Sequence, residues 1–96
     1  MAGINTETAL ELMKTRLNRM GADPSLELDL TSRLEAAAEE LKGAGINLTD
    51  SSRDLVLLVD TAVWQYQSRD KNTGMPEWLR LRRRERWLQE HRRGST

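Results

Sequence analysis

Apolar residues recur every three or four positions along most of this 96-residue chain, which is the period of one face of an α-helix. The first such pattern lies in residues 6–20, at Leu10, Met13, Leu17 and Met20. Gly21 follows it, and glycine commonly terminates helices because it adopts left-handed backbone conformations without strain. The pattern therefore predicts a first amphipathic helix over residues 6–20.

A second pattern has signals at both ends. Asp23 suits the N-cap position, and Pro24 suits the first helical position, where a backbone N–H would have no helical partner. The apolar stripe that follows consists of Leu30, Leu34, Ala37, Ala38 and Leu41. Glycines at positions 43 and 45 stop the pattern, so we predict a second helix from Pro24 to about Lys42.

The third pattern is the clearest. Its apolar residues keep helical spacing over three turns: Leu55, Leu58, Val59, Ala62, Val63 and Tyr66. Ser51, with Asp54 three residues later, resembles a capping box at its start. Val56 and Leu57 add apolar surface on other faces, so we predict that this helix is the central one. Trp64 lies off the main stripe, either against another helix of the same chain or at a contact between subunits.

A polar turn, SRDKNTGMP at residues 68–76, precedes the last pattern. Pro76 is predicted to open a fourth helix that runs to about residue 92 and leaves residues 93–96 as a frayed tail. No segment shows the convincing alternation of a β-strand. The predicted fold class is all-α, a single domain over residues 1–96 built as a small bundle of three to four helices with short turns.

Charge is unevenly distributed along a chain whose net charge is zero. Residues 1–50 carry nine acidic and five basic side chains, whereas residues 77–96 carry three acidic side chains and seven arginines. An acidic front and a basic back can pair head to tail between copies, or present the basic end to an acidic partner. The apolar content is only 38%, so we expect a lean core that gains stability from neighbours.

The residue types present limit the chemistry. The chain has no cysteine, which excludes disulfides and cysteine-based zinc sites, and its only histidine, His91, has no carboxylates at ligand spacing. No phosphate-binding glycine loop, dinucleotide fingerprint or nucleophile elbow occurs. We therefore expect no metal, no cofactor and no enzymatic activity.

The chain carries no pattern for entering a membrane. Its longest apolar run, Leu55–Val59, is too short for a membrane span, and its N-terminal residues lack the pattern of a signal peptide. We expect a soluble intracellular protein, or part of an assembly made inside a cell, with no membrane contact.

The predicted last helix combines arginines with two tryptophans. Its apolar residues fall within about 180° of each other on a helical wheel: Trp78, Leu79, Leu81 and Leu88. Its arginines scatter around the circumference instead of lining one face, and three glutamates lie among them, which disfavours phosphate binding. The helix is therefore a solvated amphipathic helix, a nucleic-acid-binding helix or a docking helix. Tryptophan and arginine are typical anchors of protein interfaces, which favours docking.

Two segments carry a family resemblance: LEAAAEELKGAGI at residues 34–46 and DLVLLVDTAVWQYQSRDKNTGMPEWLRLRRRERWL at residues 54–88. They resemble the head–tail connector (head-completion adaptor) proteins of long-tailed bacteriophages. In that family a helix pair precedes an apolar D-L-x-L-L-V-x-x-A-x-W-x-Y helix, a polar turn, an M-P-x-W-L-R restart and an arginine-bearing final helix. The resemblance covers about residues 10–90, and residues 54–82 are its most distinctive part.

The resemblance implies a structural virion protein at the head–tail interface, assembled in the host cytoplasm as a homo-oligomeric ring of about twelve subunits. Its partners would be the portal protein and a stopper or tail-completion protein, with DNA only as the content of the channel. The residues implied to face the portal or a neighbouring subunit are Trp78, Leu79, Arg82, Arg83, Arg86 and Trp87. Those implied to stabilise the fold or subunit contacts are Asp54, Asp60, Trp64, Tyr66 and Arg69.

Two functions of other classes stay open. One is a small nucleic-acid-binding helical protein that uses the C-terminal arginine-rich helix, whose affinity for DNA would fall steeply with salt. The other is a monomeric adaptor whose last helix docks into one cellular partner with 1:1 stoichiometry.

Overall fold

The computed structural model describes residues 4–19, 21, 23–71 and 74–94, and these form four helices. They are α1 (Thr6–Arg16), α2 (Pro24–Gly43), α3 (Ser52–Gln67) and α4 (Glu77–Gly94). The described residues contain no β-strand, which confirms the predicted all-α bundle. Parts of the predicted first helix, polar turn and tail lie outside the described residues: Met20, Asn72, Thr73, Ser95 and Thr96.

The prediction for the end of the first helix was wrong. Helix α1 ends at Arg16, well before Gly21, because Asn18 adopts a left-handed backbone conformation with φ = 57°. The Arg19 N–H donates to Lys14 O at 2.9 Å, which closes a Schellman motif around Asn18. Asparagine is the residue after glycine that most readily takes this conformation, so the helix stops there.

Both predicted N-caps are confirmed. The Asp23 carboxylate accepts from the N–H groups of Ser25 and Leu26 at 3.1 and 3.3 Å, with Pro24 at the first helical position of α2. Ser51 Oγ accepts from Asp54 N–H at 3.2 Å at the start of α3. Only half of a capping box forms there, because the Asp54 side chain is used elsewhere.

Helix α3 is the centre of the bundle, as predicted, and packs against each of the other three helices. Because it is contacted from several sides, its buried face is wider than the predicted stripe. Leu57 is buried although it lies off that stripe, whereas Leu55 and Val63 on the stripe are only half-buried. In α2 the predicted stripe is buried apart from the half-buried Ala38.

Helix α4 begins directly after Pro76, whose carbonyl accepts the N–H groups of Leu79 and Arg80 at 3.1 and 3.0 Å. It continues to Gly94 and so includes two residues that were predicted to belong to the tail. Leu79 is its one residue in the fully buried apolar core, among the described residues. No helix in the described part of the chain has the length and apolarity needed to cross a bilayer.

Candidate functional site

A buried ion pair joins Asp54 on α3 to Arg86 on α4. Their side chains form two parallel hydrogen bonds, Nε to Oδ1 at 2.8 Å and Nη2 to Oδ2 at 3.2 Å. Asp54 also accepts from the backbone N–H and the hydroxyl of Thr49, both at 2.8 Å, and Arg86 donates to Asn47 O at 2.8 Å. Through these hydrogen bonds, α4 contacts the start of α3 and the loop between α2 and α3.

The charges of this pair are stabilised by these hydrogen bonds. Burial alone would raise the pKa of Asp54, but the hydrogen bonds from Arg86 and Thr49 outweigh it, so its pKa lies below the ordinary value of 3.8. The hydrogen bond to Asp54 raises the pKa of Arg86, against the opposing effect of burial. Both groups are therefore ionised at neutral pH, in a bidentate, charge-assisted contact.

Asp60 forms a second polar centre, on the next turns of α3. Its buried carboxylate accepts from Arg16 on α1 and from Arg82 on α4, the latter at 3.0 Å. One carboxylate thus bridges two arginines from two helices. Since a buried carboxylate is stable only when it is paired, Asp60 requires at least one of these partners in place.

Two further arginines of α4 also meet carboxylates. Arg83 donates to Glu40 on α2 at 2.7 Å, and its side chain is largely covered. Arg80 pairs with Glu77 within the first turns of α4, with Nε 3.1 Å from Oε2, on the exposed side of the helix. Four arginines of α4 are consequently neutralised by acidic side chains of the same chain.

Of the six residues predicted to face a portal or neighbour, two lie in the interior. Leu79 is fully buried in the core, and Arg86 is 8% exposed because Asp54 holds it inside. In this structure neither presents its side chain to a partner. Arg82 and Arg83 are partly exposed, but both are committed to the ion pairs with Asp60 and Glu40.

The other two predicted contact residues, both tryptophans, do reach solvent. Trp78 is 52% exposed, with the guanidinium of Arg82 5.5 Å from the ring centroid. Trp87 is 39% exposed and stacks on His91, with 3.9 Å between ring centroids. His91 Nε2 lies 3.2 Å from Gly45 O, so this aromatic pair rests on the turn after α2. Each of these indoles therefore presents a large apolar surface to solvent.

The residues predicted for fold or subunit contacts all make contacts within the chain. Asp54 and Asp60 form the two polar centres described above. Trp64 is half-buried against the core, and its indole N–H meets no acceptor among the described residues. Tyr66 is buried, and the Arg69 guanidinium lies 4.0 Å from its ring centroid while donating to Tyr66 O.

Four partners of the predicted site residues were missed in the sequence: Arg16, Glu40, Asn47 and Thr49. Two acids next to the apolar stripe of α3, Asp54 and Asp60, were a usable signal, because buried carboxylates need cationic or N–H partners. Nothing in the sequence says which distant arginine meets which acid.

No three histidine, cysteine, aspartate or glutamate side chains are grouped to hold a metal ion within the described ranges. The expectation of a chain without metal, cofactor or enzymatic activity stays a prediction. Comparison with protein-family models, curated proteins and solved structures finds no match to the chain.

Proposed function

We propose that the chain is a structural virion protein, a bacteriophage head–tail connector without enzymatic activity. It forms a ring on the portal protein and extends the DNA channel to the stopper or tail. The resemblance in residues 34–46 and 54–88 motivates the proposal. The observation that supports it best is on α4, where four arginines are paired with carboxylates of the same chain while both tryptophans are exposed.

The paired arginines weigh against a nucleic-acid-binding helix. Affinity for DNA comes mainly from cations that replace the counterions of the phosphates. Arg82, Arg83 and Arg86 would have to leave carboxylate partners to do so, and for Arg86 that would strand a buried charge. The basic segment therefore offers phosphates much less charge than its composition suggests.

The exposed tryptophans favour a protein partner. Tryptophan is the residue type most often found at the energetic centre of protein interfaces, because it buries a large area with little loss of side-chain freedom. Trp78 and Trp87 lie nine residues apart, on opposite sides of α4, and each ring lies against a neighbouring side chain, Arg82 and His91 respectively. They are the proposed anchors on the portal.

The proposal is tested by portal binding of Trp78→Ala and Trp87→Ala. Both variants should weaken binding to the portal protein encoded in the same genome by at least about tenfold, and should affect binding more than the melting temperature, since part of each ring is exposed. Leu79→Ala is the contrasting variant, because it removes a fully buried side chain and should mainly lower the melting temperature. Equal loss of binding and stability in the tryptophan variants would make them core residues and count against the proposal.

Affinity for DNA distinguishes the proposed connector from a nucleic-acid-binding protein. A connector should show negligible affinity for short duplex DNA in both about 50 mM and about 200 mM salt. Tight binding that falls by orders of magnitude over this range would instead assign the arginine-rich helix to phosphate contacts.

A further inference from the structure

A groove runs along one side of α2 and is also lined by residues 46–48 of the following loop, which include Asn47, the backbone partner of Arg86. It has a volume of about 570 Å³, within the range of roughly 300–1,000 Å³ that holds a drug-sized molecule. We call it the acidic groove; it is lined by Ser32, Glu35, Ala36, Ala38, Glu39, Lys42, Ile46, Asn47 and Leu48. Its walls are apolar and its rim carries two carboxylates and one ammonium group.

The two carboxylates of the acidic groove are not used by the fold. In the part of the chain that the structure describes, neither Glu35 nor Glu39 has an ion-pair or hydrogen-bond partner, unlike Glu40 beside them. Leu28 lies on the same face of α2, within about 60° of both on the helical wheel. It is 71% exposed, the highest value among the large apolar side chains described. This face of α2 therefore combines unpaired negative charge with exposed apolar surface.

A complementary surface lies on α4. Leu81, Arg84 and Leu88 fall within about 60° of one another on the wheel, on the side opposite to the buried Leu79 and Arg86. We call them the outer stripe. Neither leucine belongs to the core or to the apolar residues packed against it, and Leu81 is 45% exposed. Among the described residues Arg84 has no carboxylate partner, in contrast to Arg80, Arg82, Arg83 and Arg86.

We infer that the outer stripe of one copy of this chain docks in the acidic groove of a second copy. Leu81 and Leu88 would cover the apolar walls, and Arg84, placed between them, would meet Glu35 and Glu39. The inference rests on the proposed function in that it names the surfaces through which subunits of the ring meet. Because the two surfaces differ, the contact is heterologous and each copy can bind two neighbours.

A contact between the outer stripe and the acidic groove is electrostatically more favourable than a contact between two outer stripes. Arg84 is the one charge among the three residues of the outer stripe, so a symmetric contact that places it beside its own copy would bring like charges together. Glu77, on the same side of α4, is already paired with Arg80. The acidic groove offers the opposite charge on the same molecule. Each contact is small, so it is weak between two free copies and is strengthened when a closed ring engages all contacts at once.

A charge-swap series measured by sedimentation velocity tests the inference, using the full chain without a portal. The wild-type chain should associate as its concentration is raised toward about 1 mM, the range of weak complexes. Arg84→Glu and Glu39→Arg should each weaken association by at least about tenfold, because each brings like charges together. The double variant, and an equimolar mixture of the two single variants, should both recover it.

Matched controls are exposed charges away from both surfaces. Arg53→Glu on α3 and Glu7→Arg on α1 reverse exposed charges that make no ion pair among the described residues, and should leave association unchanged. Circular dichroism and thermal melting confirm that every variant keeps its fold. Leu81→Ser, which is exposed in the monomer, provides a second, uncharged test and should also weaken association.

The outcomes separate the inference from the proposed function. A wild-type chain that stays monomeric over this concentration range, or a double variant that fails to recover association, overturns the inference even if the chain binds portals. The inference is also overturned if Glu39→Arg does not restore association to the Arg84→Glu variant, since that pattern indicates a symmetric α4 contact. A series that behaves as expected supports the surface pair, and failure to bind portals in the same preparation would then contradict the connector function alone.

Discussion

Asp54 and Arg86 are charged side chains that the fold removes almost entirely from solvent, with 1% and 8% of their surface exposed. Such a pair recovers its desolvation cost only when the remaining hydrogen-bonding groups also find partners. Thr49 supplies two donors to Asp54, and Asn47 supplies an acceptor to Arg86. The cluster therefore specifies where α4 sits, because moving the helix would strand both charges.

Removing one member of this pair should be strongly destabilising. Asp54→Ala should lower the free energy of unfolding by about 3–5 kcal/mol, because it leaves the Arg86 charge buried without its carboxylate. Replacing both residues, as Asp54→Leu with Arg86→Met, should recover most of that loss. Urea denaturation measures both. The control is Glu77→Ala, whose exposed pair with Arg80 should contribute little; a similar loss in this control would contradict the assignment.

The same pair makes stability depend on pH in acid. The folded-state pKa of Asp54 lies below its ordinary value of 3.8, so its contribution is complete above that value. As the pH falls through the lower folded-state pKa, Asp54 protonates in the native state and the contribution is lost. Urea denaturation between about pH 2 and pH 6 should show this loss in the wild type and less of it in Asp54→Asn. Equal pH dependence in the two proteins would exclude Asp54 as its source.

At the scale of elements, α1 and α2 end in the same way, around Asn18 and Gly45. In α2 the Ile46 N–H donates to Leu41 O at 2.9 Å while Gly45 holds φ = 94°. A β-carbon on Gly45 would lie 3.0 Å from Nε1 of Trp87 and 3.2 Å from Nε2 of His91. The turn after α2 thus needs glycine for its conformation and for the close approach of α4.

Gly45→Ala should therefore be costly although it adds one methyl group. We expect the free energy of unfolding to fall by about 1–3 kcal/mol, from backbone strain and displacement of the Trp87 and His91 rings. The matched control is Gly43→Ala, two residues earlier, where a β-carbon meets nothing within 4 Å and the backbone is helical. That substitution should be neutral or stabilising by up to about 1 kcal/mol. Equal effects in thermal melts would mean that the turn is not constrained.

Features that depend on residues close together in the sequence could be predicted, whereas contacts between distant residues could not. The N-caps Asp23 and Ser51 and the core stripe of α2 depend on residues a few positions apart, and they were predicted. The end of α1 was missed because Asn18, a weaker signal than Gly21, stops the helix first. The contacts of Arg86 with Asp54 and of Arg83 with Glu40 join residues 32 and 43 positions apart, and no local pattern encodes such pairings.

At the scale of the whole molecule, the Cα atoms span 47 × 30 × 18 Å. Since helices pack about 8–10 Å apart, a thickness of 18 Å admits no more than two layers, and helices keep a face toward solvent. The charge separation along the chain is also partly cancelled in space, because the basic α4 lies against the acids Glu40, Asp54 and Asp60. The unpaired charges that remain outside include those of the acidic groove and of Arg84, next to exposed apolar side chains.

Native mass spectrometry of the chain mixed with portal rings tests the proposed ring assembly. The full chain would be mixed with purified portal rings encoded in the same genome, and the mass of the complex determined. We predict a complex with about twelve copies of the chain on each portal ring. A chain that remains monomeric, leaves the portal mass unchanged and instead binds short duplex DNA would contradict the account.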